Sequence, residues 1–319
     1  MSNYTLDFES PLREIEDKID SMKSTGIKAG IDVSEAVNNL EEQLTNEKKI
    51  LYKNLSRWDR VQLARHPKRP YSSDYISRIT DYWFELHGDR FFSDDPAMLC
   101  GIAIIDNLKL MIISQEKGRG TKGKLFRNFG MVRPEGYRKA LRLMKLAEKY
   151  NIPILTLIDT PGAYPGLGAE ERGQAEAIAR NLFEMAKLRV SIINIVIGEG
   201  ASGGALGIGV GDRILCFENI WYSVISPEGC STILFRDASR APEAADSMMG
   251  AAKDLKEMGI ADTIMPEPIG GTHQDYDKSA ETLKDAILES FSKLNKIDPD
   301  KRIENRIEKY EKMGKWSDG

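Results

Sequence analysis

The residues Gly200-Ala201-Ser202-Gly203-Gly204 stand where an apolar run, Ile195-Val196-Ile197, gives way to glycines and small residues, an order suited to holding an anion. Glycine admits positive φ and lets a ligand approach the main chain, and the first amides of a following helix have no acceptor within it. Aimed at one point, such amides stabilise an oxyanion. A second turn, Asp159-Thr160-Pro161-Gly162-Ala163-Tyr164-Pro165-Gly166, follows the apolar run Ile152 to Ile158. Both turns stand at strand C-terminal ends, where α/β sheets bind ligands, so two adjacent strands would frame one pocket.

Other chemistries compete for these residues. Gly200-Ala201-Ser202-Gly203-Gly204 fits the G-x-S-x-G nucleophile elbow. A serine nucleophile needs a histidine base, and of His66, His87 and His273 only His273 follows Ser202 as that chain order requires. Gly118-Arg119-Gly120-Thr121-Lys122-Gly123-Lys124-Leu125 imitates a phosphate-binding P-loop, but leucine replaces the Ser or Thr that would ligate magnesium. Asp159 and Glu199 stand where general bases could act, or where they could brace the loops. No His or Cys joins them, or Glu170 and Glu171, in a metal-ligand set. The site thus offers backbone amides and few titratable groups, which points to a reaction whose substrate handles its own proton.

From Lys117 to Lys145 ten Lys or Arg residues stand against the single acid Glu135. Phosphates, an acidic protein surface or bulk solvent would suit such a stretch. Nucleic acid is the weaker partner, because Phe126, Phe129 and Tyr137 are sparse and form no stacking signature.

The elements that must position these groups read as an α/β domain. Leu108 to Ser114, Ile152 to Asp159, Ser191 to Gly198 and Arg213 to Phe217 are expected as buried strands. Arg138 to Tyr150, Glu170 to Leu188 and Gly203 to Val210 are expected as helices, the second with Ala175, Ile178, Leu182 and Met185 on one side. Two amphipathic helices, Pro11 to Lys23 and Val33 to Leu55, precede the domain and are separated by Gly26 to Gly30. Charged helices over Ala251 to Met258, Tyr276 to Leu294 and Arg302 to Met313 follow it, and the last dozen residues are expected to fray or to lie on a partner.

A net charge of −4 gives no global attraction to nucleic acid or an anionic membrane. Cys100, Cys216 and Cys230 show no paired spacing, and no apolar stretch of about 18 residues occurs. Met1 to Asp17 is acidic where a signal peptide would be basic and apolar, so a cytoplasmic protein without a membrane span is expected.

Taken together, Asp159 to Gly166, Ala169-Glu170-Glu171-Arg172-Gly173-Gln174, Gly198 to Ala205 and Ser223-Val224-Ile225-Ser226-Pro227-Glu228-Gly229-Cys230 resemble the α subunits of the bacterial acetyl-coenzyme A carboxylase carboxyltransferase. The likeness runs from Leu6-Asp7-Phe8-Glu9 through Arg65 to Tyr71, Asn128 to Met131 and Pro134 to Leu141, as far as Pro266 to Gly271. It implies a crotonase-like (ClpP/crotonase) spiral of repeated β-β-α units over residues 58–295, with an N-terminal helical hairpin over 1–57 and a C-terminal helical tail over 296–319. The implied activity is transfer of the carboxyl group from carboxybiotin to acetyl-coenzyme A, forming malonyl-coenzyme A for fatty acid synthesis. The implied partners are a β subunit in an α2β2 heterotetramer, the biotin carboxyl carrier protein and, in the larger complex, biotin carboxylase. Zinc is implied on the β subunit only, with no metal in this chain.

By the same resemblance the amides of Gly203 and Gly204 form an oxyanion hole for the biotin ureido oxygen. Pro161, Gly162, Ala163, Tyr164, Gly200, Ala201 and Ser202 line the carboxybiotin pocket, while Lys117 and Arg119 contact phosphates or the carrier. The coenzyme A thioester sits mainly on β. Gly204→Val is expected to block the pocket while leaving the subunit complex intact. Ala201 departs from the glycine common in relatives, a methyl tolerated at negative φ. Met144-Lys145 matches the biotinylated Met-Lys pair, but its helical setting makes it an ordinary solvent-facing lysine.

Overall fold

Strands apolar at successive positions need cover on both faces, and the central strands of this chain have it. In the computed structural model, which describes residues 6–314, eight strands form one sheet. They are β1 (Tyr82–Glu85), β2 (Met98–Ile105), β3 (Leu108–Gln115), β4 (Ile154–Thr160), β5 (Ile192–Ala201), β6 (Arg213–Phe217), β7 (Trp221–Ser223) and β8 (Thr263–Met265). The order is β1-β2-β3-β4-β5-β6-β8, antiparallel from β1 to β3 and parallel from β3 to β8. β7 pairs with β5 alone, beyond the end of β6, through Glu199, Gly200 and Ala201. Every residue of β4 and β5 is buried.

The two middle strands lose step at the edge where the glycine turns lie. Ile158 pairs with Val196 and Thr160 with Gly200, so β5 takes four residues where β4 takes two. Such a bulge re-aims the side chains beyond it. It lets β5 run on to Ala201, three residues past the expected end at Gly198.

Among the described residues fourteen α-helices accompany the sheet. α1 (Ser10–Ala29) and α2 (Ser34–Lys53) form the N-terminal hairpin. α1 continues through Gly26, where a side chain would collide with Val33, and the turn falls on Gly30 at φ +63. α3 (Arg57–Ala64) and α4 (Ser72–Ile79) lead into the sheet, and α5 (Gly120–Phe126) and α6 (Pro134–Lys149) lie between β3 and β4. α6 starts at Pro134, four residues before the expected start, because proline needs no N–H acceptor in a first helical turn.

The helix expected over Glu170 to Leu188 is two, α7 (Leu167–Glu171) and α8 (Gln174–Met185), broken at Gly173 with φ +79. The inward face of α8 holds Gln174, Ala177, Asn181 and Met185, and Ala175 faces out. The apolar stripe misleads here because the two buried amides serve loop carbonyls: Gln174 Nε2 donates to Val132 O at 2.8 Å and Asn181 Nδ2 to Gly207 O at 2.9 Å. α9 (Ser202–Leu206) follows β5, α10 (Pro227–Phe235) and α11 (Ala241–Met248) follow β7, and α12 (Ala252–Glu257) precedes β8. α13 (Tyr276–Leu294) matches its expected span, and α14 (Pro299–Glu311) is stapled down by Arg306, whose guanidinium grips Asp212 at 2.8 and 3.0 Å. Of the last dozen residues, those to Glu311 are helical and 315–319 lie outside the described residues.

Candidate active site

β5 delivers Ala201 to the sheet edge, and the chain turns at Ser202, with φ +58, into α9. That turn puts the amides of Ser202, Gly203 and Gly204 ahead of the first acceptor of the helix. The carbonyl of Gly204 leaves the helical ladder altogether. It accepts from Gln115 Nε2 at 2.7 Å and from Tyr137 Oη at 3.0 Å, both side chains fully buried. α9 therefore stops at Leu206, short of the expected Val210, and is pinned against rotation. Gln115 Oε1 also accepts from the Asp159 N–H at 3.2 Å, so one amide joins the ends of β3 and β4 to α9.

The two glycine turns meet across α9. A Cβ on Gly204 would lie 2.3 Å from Gly162 C and 2.5 Å from Ala163 N, whereas one on Gly203 would meet nothing nearer than Ile178 at 3.6 Å. Gly162 itself has φ +149, and its N–H donates to Thr160 Oγ1 at 3.1 Å. Gly204→Val would therefore push the Pro161 to Tyr164 turn away before it filled any pocket, which corrects the expectation of a simple block.

The open side of α9, with Ser202, Gly203 and Leu206, borders a cleft of about 420 Å3 whose other walls include Tyr222, Ile225, Met248 and Met258. Gly200 makes room for one wall: a Cβ there would be 2.5 Å from the Tyr222 ring. Gly200 and Ala201 lie inside β5, and the 162–163 backbone backs the other face of α9. Sequence reasoning reached the glycines but missed Gln115, Tyr137 and the Met248–Met258 wall. A lone Gln ending an apolar strand was the one visible sign.

The two carboxylates are braces. Asp159 Oδ1 accepts from the Glu199 N–H at 3.0 Å and from Lys117 Nζ at 2.7 Å, in space left by Gly198. Glu199 Oε1 accepts from Arg65 Nε at 2.7 Å, and Arg65 reaches on to Glu228 at 2.6 Å. Burial works against the Lys117 ammonium, but Asp159 and Glu199 outweigh it and hold its pKa above the ordinary lysine value.

Comparison with known proteins settles the family. The model of the acetyl co-enzyme A carboxylase carboxyltransferase-like family matches residues 5–314. The chain is 52% identical over 331 residues to the acetyl-coenzyme A carboxylase carboxyl transferase subunit alpha of Chlorobium luteolum, covering 99% of each chain. It is 51% identical to that of Flavobacterium johnsoniae, covering 98% of this chain and 99% of the relative. The chain belongs to this family of carboxyltransferase α subunits.

The fold is crotonase-like. Transcarboxylase 12S superimposes with TM-score 0.54 at 17% identity over 69% of this chain, which spans 43% of the transcarboxylase chain. A Pseudomonas malonate decarboxylase hetero-tetramer, in complex with coenzyme A, gives TM-score 0.55 at 15% identity over 67% of this chain and 85% of that one.

Two expected contacts of this carboxyltransferase α-type chain are corrected by the geometry. Lys117, with 13% of its side chain exposed, is held between Asp159 and Glu199 at 2.7 and 3.5 Å, so its ammonium is already paired within the chain. Arg119 is committed too: it pairs with Asp74, donates to Arg69 O at 3.2 Å and lies 4.6 Å over the Tyr71 ring. The nucleophile rival also loses ground, although Ser202 has the left-handed φ of an elbow. His273 stacks on His66 with ring centroids 3.7 Å apart, and burial, followed by the Arg69 charge, pushes its pKa down to about 4. Among the described residues no group of three or more His, Cys, Asp or Glu could hold a metal, and no helix is long and apolar enough to cross a membrane.

Proposed function

We propose that this chain is one half of a carboxyltransferase, which with a β subunit moves the carboxyl group from carboxybiotin to acetyl-coenzyme A to give malonyl-coenzyme A. The observation that carries the reading is the β5–α9 junction, where the amides of Gly203 and Gly204 precede a helix pinned by Gln115 and Tyr137 beside an apolar cleft of about 420 Å3. An apolar bicycle with one polar ureido oxygen suits such a place: apolar walls for the rings, and donors at one end. When bound, the biotin group brings the carboxyl to be transferred and the base that the chemistry requires. The chain's own work is to hold the ureido oxygen at Gly203 and Gly204, orient the ring against Tyr222 and exclude water. Asp159 and Glu199, tied to Lys117 and Arg65, stabilise the loops and take no proton.

In this reading Pro161 to Tyr164 buttress the hole from behind, while Gly200, Ala201 and Ser202 shape its mouth. One oxyanion donor is worth about 2.7 to 4 kcal/mol. Because the thioester develops a second oxyanion, a second hole is required, and the β subunit, with its zinc ribbon, supplies it in an α2β2 assembly. A biotin carboxyl carrier protein brings the substrate, biotin carboxylase charges it, and the cytoplasm is the setting. Substitution of the serine tests the amide mechanism against its rival. Ser202→Ala is expected to keep transfer with the partner present, and Ser202 is expected to resist a fluorophosphonate probe. Labelling of Ser202, with no transfer by the parent in the presence of its partner, would favour the hydrolase instead.

A further inference from the structure

The basic stretch from Lys117 to Lys145 is only partly used up by the fold. Lys117, Arg119, Arg138, Lys139 and Lys145 are in ion pairs with Asp159, Asp74, Asp89, Asp94 and Glu184, and Arg142 donates to the backbone carbonyls of His87 and Gly88. Lys122, Lys124, Arg127 and Arg133 make no ion pair among the described residues, and no acid lies in the sequence from Gly120 to Pro134. The uncompensated charge is thus gathered on α5 and the turn after it.

Apolar side chains stand among those cations, turned to solvent. Leu125 is 60% exposed, Phe126 66% and Phe129 45%, where apolar side chains would ordinarily be covered. The backbone takes the left-handed conformation twice to hold Phe129 there: Asn128 and Phe129 have φ +47 and +57 in succession, a region that asparagine tolerates and phenylalanine rarely adopts. The same turn is fastened to the candidate site. Thr160 Oγ1 donates to Gly130 O at 2.7 Å, Tyr164 N–H donates to Val132 O at 3.0 Å, and Val132 bridges Ala163. α5 and its turn therefore form a basic, apolar-tipped flap on the sheet edge that carries the site.

We infer that this flap is the docking surface for an acidic face of the protein that carries the tethered biotin, an inference that rests on the carboxyltransferase reading above. Charge decides the kind of partner: four cations without acids attract an acidic surface, and Leu125 and Phe126 give the contact an apolar centre. A tethered substrate reaches α9 only if its carrier lands close to it, and the flap is fastened to the turn that packs against α9.

The test compares tethered with free biotin. The complex of this chain with its β subunit is assayed for biotin-dependent decarboxylation of malonyl-coenzyme A, using biotin itself and then the biotinylated carrier domain as acceptor. The double variant Lys122→Glu/Lys124→Glu, and separately Phe126→Ser, should raise KM for the carrier domain about tenfold, most at low salt. KM for free biotin and for malonyl-coenzyme A should stay as in the parent, which also shows that the variants fold. Equal effects on both acceptors, or none on either, would overturn the proposal, as would RNA binding lost in the variants with the carrier KM unmoved. A raised KM for malonyl-coenzyme A alone would give the flap to the coenzyme A phosphates and overturn it too. A parent complex that turns over neither acceptor would overturn the transfer reading itself.

Discussion

One hydroxyl separates Tyr137 from phenylalanine, and its removal isolates what the grip on the Gly204 carbonyl contributes. Tyr137→Phe keeps the buried ring and, among the described residues, leaves Gln115 as the donor to that oxygen. It should cost about 1 kcal/mol in stability and, by letting α9 shift, lower kcat about tenfold with KM for malonyl-coenzyme A unchanged. Steady-state kinetics of the subunit complex together with a urea melt check both. Gly203 and Gly204, the two glycines of the proposed hole, should respond differently to a methyl group. Gly203→Ala should melt within about 0.5 to 1 kcal/mol of the parent, whereas Gly204→Ala, whose Cβ falls 2.3 Å from Gly162 C, should lose about 2 kcal/mol or more. His273 governs part of the acid response. Its ring titrates near 4 in the folded chain and near 6.5 when unfolded, so between those values the unfolded chain binds more protons. Stability should be full above pH 6.5 and fall toward pH 4, and His273→Asn should flatten that decline in thermal melts at stepped pH.

At the scale of elements, the corner between α3, α4 and the segment after β8 rests on one fully buried ion pair. Arg69 Nη2 lies 2.7 Å from Glu267 Oε1, Arg69 Nε donates to Ile197 O at 2.7 Å, and Glu267 also accepts from Asn219. Glu267→Gln would leave the guanidinium buried without its counter-ion and should cost about 3 to 5 kcal/mol, read as a lower urea midpoint. None of this was legible in the sequence, since the partners are nearly 200 residues apart. Strands β3, β4 and β6 were legible, because each is an apolar run bounded by polar residues, and so was α13, because its heptad-like stripe is unbroken. The end of β5 was not: Glu199 reads as loop, and only the bulge and the β7 pairing keep it in the sheet. The break at Gly173 and the short α9 escaped for a like reason, since both depend on tertiary hydrogen bonds.

At the scale of the molecule, the glycine turns, the lack of a free base and the resemblance all led to a site that uses main-chain donors. What the sequence could not separate was which cations remain available; ion pairing removed Lys117 and Arg119 and left the α5 flap. The hairpin of α1 and α2 packs on the body near Leu63 through Leu6, Leu12 and Tyr52, while Ile15, Ile19 and Val37 cluster within the hairpin. In the proposed reading, one oxyanion hole in this chain for a reaction that develops two calls for a second subunit. The direct measurement is biotin-dependent malonyl-coenzyme A decarboxylation as this chain is titrated into a fixed amount of the β subunit. Neither chain alone should show activity, and the rate should rise to a plateau at one copy of this chain per β subunit. Full activity from either chain by itself, or a rate that ignores the added chain, would contradict the half-site account.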